Sequence, residues 1–105
     1  MAGPTSEAAA LAWIQNCLRS GQYIPAEHFD ERLFERNVSI DDVYNVVEKP
    51  TKCTAYHNGT PRWGGTCWRV TGLDVDGTTV LAVGVEAYMD ANNEMCILCT
   101  VMKRF

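Results

Sequence analysis

The stretch TCWRVTGLDVDGTTVLAVGVEAYM, Thr66 through Met89, decides the fold. Its Asp76-Gly77 step is a strong short hairpin signal, because a tight turn needs backbone that Gly and Asp tolerate best. With Asp76 and Gly77 as a two-residue turn, Val75 opposes Thr78 and the register follows by counting. Val70 then opposes Val83, Trp68 opposes Val85 and Gly72 opposes Leu81, which gathers one apolar face. Cys67, Arg69 and Thr71 fall opposite Glu86, Gly84 and Ala82 on the other face. A one-residue slip would turn the apolar set outward, so burial itself selects this pairing.

Downstream, a loop at Asp90-Ala91-Asn92-Asn93 leads into a last strand, Met95–Met102. That strand is apolar on both faces, the pattern of a central or covered strand. Upstream, Cys53–Tyr56 reads as a short edge strand and His57–Gly65 as a loop.

The chain before Pro50 reads as helical. A first helix runs from Ser6 to Arg19, capped by Thr5 or Ser6, with Glu7 in its first turn and Gly21 closing it. A second begins at Pro25, whose fixed φ suits a first helical position, and stops at Asn37. Its buried side is Phe29, Leu33 and Phe34. In the third, Ser39 is the cap, Asp42 stands in the reciprocal position, and Val38 can staple against Val43. Ile40, Val43, Val46 and Val47 face inward, and Pro50 ends the helix. The expected architecture is α+β, with two to three N-terminal helices packed on a three- to four-stranded antiparallel meander. Residues 1–105 form one domain: an extra helix over 1–21, a helical layer over 22–50 and the sheet over 53–105.

Composition fits a soluble globular chain, with 47% hydrophobic and 21% charged residues. No apolar run approaches the roughly 20 residues a bilayer span needs, so no membrane partner is expected. The N-terminal segment lacks a basic region and Glu7 precedes its alanines, which argues against a secretory signal. Five dispersed cysteines, an odd number, point to reduced thiols and a cytoplasmic location. Without a secretory route, the glycosylation patterns Asn37-Val38-Ser39 and Asn58-Gly59-Thr60 carry no weight. The net charge of −4 works against a nucleic-acid-binding surface overall. A local patch still acts within a Debye length of about 8–10 Å.

His28, Arg32 and Arg36 recur every four residues, so on a helix they share a face. Cleavage of RNA by its 2′-OH needs proton transfer and a cation on the phosphorane. His28 supplies the first and Arg32 the second, making them the candidate catalytic pair, with Arg36 as a further anion contact. The competing reading is a solvated helix face neutralised by Asp30, Glu31 and Glu35. Arg69, opposite Gly84, either binds a ligand in the room glycine leaves or pairs across the strands with Glu86. Arg62 and Trp63 bring together a cation and a stacking ring, and Gly64-Gly65 can present N–H groups as an anion nest. His57 reads as a solvent-facing loop residue. Cys96-x-x-Cys99 lies on a strand, where residues three apart point to opposite faces. Those thiols read as buried and structural, with no metal and no cofactor implied.

The spaced His28, Arg32 and Arg36, the segment Val38–Val43, the Asp76-Gly77 hairpin and the Cys99-Thr100-Val101 strand carry a resemblance. Over residues 22–102 the chain resembles a bacterial domain family of unknown function grouped with the RelE-like toxins, in the barnase/colicin-nuclease/RelE fold group. The resemblance implies helices on an antiparallel sheet and ribonuclease ancestry, with RNA or an antitoxin-like protein as partner. Such toxins tend to be strongly basic, whereas this chain has nine basic residues against thirteen acidic ones. Two other classes stay open. One is a non-enzymatic interaction module, self-associating through the apolar last strand. The other is a small-ligand carrier with its pocket between the helices and the Arg69 face.

Overall fold

The computed structural model describes residues 3–57 and 59–104. Asn58, and with it the second glycosylation pattern, lies outside the described residues. The elements run α1 (Glu7–Ser20), β1 (Tyr23–Pro25), α2 (Phe29–Glu35), α3 (Ile40–Glu48), β2 (Pro50–Ala55), β3 (Thr66–Leu73), β4 (Val80–Asp90) and β5 (Asn93–Arg104). Five strands form one sheet in the order β1-β5-β4-β3-β2. The α+β class stands, but the sheet is larger than expected and mixed, because β1 pairs with β5 in parallel.

The β3–β4 register is the one counted from the sequence: Val70 opposes Val83, Trp68 opposes Val85 and Arg69 opposes Gly84. The turn itself is wider than two residues. Gly77 N–H donates to the Asp74 carbonyl at 3.0 Å, and Gly77 takes φ 73. The Asp74 carboxylate then accepts the N–H groups of Thr78 and Thr79, which leaves Val75 58% exposed. Two aspartates thus flank the turn in different roles, and the register survives because the apolar faces set it.

All three helices lie on the face carrying Trp68, Val70, Leu81, Val83, Val85 and Val101. Phe29, Ile14, Leu81 and Leu98 are among the largest side chains fully enclosed there. The α1 cap is as expected: Ser6 accepts from Ala9 N–H, and Gly21 closes the helix at φ 75. Along α1, Trp13 donates to the Met95 carbonyl at 3.1 Å and Cys17 to the Glu94 carbonyl at 3.4 Å. These bonds satisfy the outer rim of β5 where three-residue β1 does not reach. For α3 the reciprocal cap is complete, and the second Asp42 oxygen accepts from Val75 N–H at 2.9 Å. One carboxylate therefore caps a helix and docks the hairpin end.

The second helix departs from expectation. Pro25 ends β1 instead of opening α2, and the chain turns through His28, which has φ 71, before the helix begins at Phe29. Phe34 is 88% exposed, because Phe29 and Leu33 already occupy the inward line and the next position rotates away. Ile40, the first residue of α3, is also exposed. Among the described residues no helix is long and apolar enough to cross a membrane.

Candidate functional site

The sheet face turned away from the helices carries the site. Odd-numbered β3 residues point there, as do Glu86 of β4 and Ile97 of β5. Gly84 pairs with Thr100 and Val85 with Leu98, so Cys99 is an extra residue bulged out of the ladder. The bulge keeps Leu98 and Val101 in the core while adding Cys99 to the outer face, where it is exposed.

The loop between β2 and β3 folds over this face. Glu86 is only 2% exposed, and its carboxylate holds the loop by three main-chain bonds. One oxygen accepts from Arg62 N–H at 2.8 Å; the other accepts from Trp63 and Gly65 N–H at 2.9 and 3.0 Å. Of the Gly64-Gly65 pair, Gly65 donates to this carboxylate, together with Arg62 and Trp63, so the anion these N–H groups hold is this protein's own Glu86. Gly65 is obligatory at this crossing, since a Cβ there would lie 2.0 Å from the Ala87 carbonyl oxygen. Trp63 stacks on Tyr88 with ring centroids 5.6 Å apart, and the Trp68 indole donates to Thr66 Oγ1 at 2.7 Å.

Between this loop, the sheet and the segment after β1 lies an open cleft of about 700 Å³. Ile24, Pro25 and Ile97 give it an apolar side, while Tyr56, Thr60, Arg62 and Thr100 add polar groups. Cys67 and Cys99 lie against Glu86 within the cleft lining. Burial pushes the Cys67 thiol up to about 11, aided by the Glu86 charge; the protein packed around Cys99 raises its thiol as well, although that residue keeps part of its surface open to the cleft. Both are protonated near neutral pH, so these thiols are poor nucleophiles.

The sequence candidates divide. Arg62, Trp63 and Glu86 meet at the cleft. Arg69 does not pair with Glu86, whose oxygens the loop has taken; its guanidinium lies 4.9 Å from the centre of the Tyr56 ring. The room above Gly84 is filled as well, since a Cβ there would come within 3.4 Å of that ring. His28 stands beside Glu27 on the segment leading into α2, in contact with Glu31 at 3.1 Å and Glu27 at 3.5 Å. Its recorded partners are thus carboxylates, not guanidiniums. Arg32 is exposed on α2, and Arg36 borders a separate shallow dent with Lys103 and Met102. His57 is exposed, as the loop position implies.

Cys96 faces the helices and Cys99 the cleft, so the two ends of Cys96-x-x-Cys99 are separated by the sheet. Cys99 corrects the expectation of two buried thiols. Tyr56, Ile24 and Pro25 are the lining residues that sequence reasoning missed. From the sequence, Tyr56 falls in an edge strand and Pro25 at a helix start, while Ile24 has no assigned element. No protein family, curated protein or solved structure matches this chain.

Proposed function

We propose that this chain is a non-enzymatic binding module that holds a small amphipathic molecule in the cleft on the helix-free face of its sheet. The cleft itself carries the reading. Its volume of about 700 Å³ falls within the roughly 300–1,000 Å³ typical of ligand sites. Its walls combine an apolar side with a few convergent polar groups, the mix that fixes a ligand's orientation. Glu86 pins the covering loop, so the wall stands before a ligand arrives, which limits the ordering cost of binding. From the sequence, the small-ligand pocket is expected between the helices and the Arg69 face; the cleft lies on the Arg69 face, on the side of the sheet without helices.

An RNA-directed role, with or without cleavage, follows from the RelE-like resemblance and draws less support. His28 is occupied by Glu27 and Glu31, and the contacts it makes are to these carboxylates. Self-association through β5 also loses its motive, since Ile97 is only 5% exposed beneath the cleft walls.

Native mass spectrometry against a panel of small amphipathic molecules tests the reading, with Cys99→Phe as the variant that fills the cleft floor. Expected are retained one-to-one complexes with wild type that Cys99→Phe lacks, at unchanged far-UV circular dichroism. Equal retention by both proteins would overturn it. RNA degraded by wild type and spared by His28→Ala would favour the ribonuclease reading instead.

A further inference from the structure

The geometry points to an organic monoanion with an apolar, ring-bearing body as the molecule the cleft takes, its charge paired with Arg62. This inference rests on the cleft being a binding site. It names the class of ligand and the residue that pairs with its charge.

Arg62 is the cation among the lining residues. Its main-chain N–H donates to Glu86 at 2.8 Å. Glu86 spends both oxygens on the N–H groups of Arg62, Trp63 and Gly65, so its charge is already compensated. Among the described residues the ion pairs are Arg19 with Glu48 and His28 with Glu27 and Glu31; Arg62 belongs to none. Arg62 therefore lines the cleft as an exposed residue outside the ion pairs of the described residues, on a loop whose main chain three hydrogen bonds hold. A planar guanidinium fork is suited to a carboxylate or sulfonate.

The remaining walls say what the rest of the ligand is. Ile24, Pro25 and Ile97 offer an apolar surface, and Tyr56 and Trp63 are the ring-bearing residues of the lining. Thr60 and Thr100 add hydroxyl-bearing side chains to the lining, the kind of further donor a charged head group needs. Glu27 lines the segment after β1 and repels an anionic group. Arg62 is therefore the lining residue that pairs with the ligand's charge. A phosphomonoester, with two charges and strong hydration, fits this single cation and apolar wall less well.

Two dyes that share one ring system test the inference: anilinonaphthalene sulfonate, a monoanion, and phenylnaphthylamine, which lacks the sulfonate. Fluorescence titration of wild type should give binding about tenfold tighter for the sulfonate, the size of one partly desolvated ion pair. Arg62→Met should remove that preference and leave the neutral dye unchanged, and Arg62→Lys should restore part of it. Cys99→Phe should lose both dyes. Equal affinities in wild type, or a preference that survives Arg62→Met, would overturn the anion assignment while the cleft reading stands. No binding of either dye would overturn the cleft reading and this inference together.

Discussion

Replacing Glu86 with Gln removes one charge and turns an acceptor oxygen into an NH2 group, with almost no change of shape. The amide oxygen can stay on the Trp63 and Gly65 N–H groups, whose bonds share one carboxylate oxygen. The NH2 group then faces Arg62 N–H, and the 2.8 Å bond there is lost outright. The two remaining bonds fall from charge-assisted to neutral, a difference of roughly 1 kcal/mol each, while the lighter desolvation of a neutral group offsets part of the loss. The expected net cost is about 2–3 kcal/mol, a sizeable share of a small domain's stability. Much of it appears locally, because the loop can lift into water without unfolding the sheet. Hydrogen exchange reads that directly. The Arg62, Trp63 and Gly65 amides should exchange about 10–100-fold faster in Glu86→Gln, with the β3–β4 ladder amides shifted far less. Unchanged exchange at those three amides, with urea stability within about 0.5 kcal/mol of wild type, would refute the role given to Glu86.

Three further outcomes follow from the same geometry. Gly65→Ala should cost more than about 3 kcal/mol, because its Cβ meets the Ala87 carbonyl, whereas Gly77→Ala meets nothing and should cost about 1–2 kcal/mol from its φ of 73 alone; similar urea midpoints for the two variants would contradict this. Asp42 is held below the usual carboxylate range: burial opposes ionisation, but the N–H groups of Val75 and Ser39 outweigh it. Its contribution is therefore present above the unfolded value of about 3.9 and is lost as pH falls through the folded one; Asp42→Asn should be less stable than wild type at neutral pH and converge with it in acid, and a constant gap would count against the assignment. Burial pushes Cys53 and Cys67 up to about 11, so iodoacetamide should label both slowly at pH 8 in the folded protein and rapidly in urea. Labelling of folded Cys67 at the free-thiol rate would contradict the described surroundings.

The hairpin was legible because its signal is local and repeated. Alternation along β3 and β4 gives the register even though Asp74, and not a two-residue turn, closes the loop. The α3 cap was legible for the same reason. Strand β1 was not, because three residues carry no periodicity and its partner Cys96–Leu98 lies far along the chain. Pro25 fits a helix start as well as the end of an edge strand, and only the parallel pairing decides between them. At the site, Arg62, Trp63 and Glu86 were each singled out, but their connection was not. Counting placed Glu86 diagonal to Arg69, and side-chain reach alone cannot tell that partner from a loop passing overhead. The Gly64-Gly65 pair was the available clue: a nest beside a strand carboxylate needs no outside anion.

Protein-observed NMR with a library of small amphipathic fragments tests the central claim most directly. Shift changes should cluster on the main chain of Arg62, Trp63, Cys67, Ile97 and Cys99, at the cleft. Changes confined to α2 around His28 and Arg32, or scattered without a centre, would contradict it.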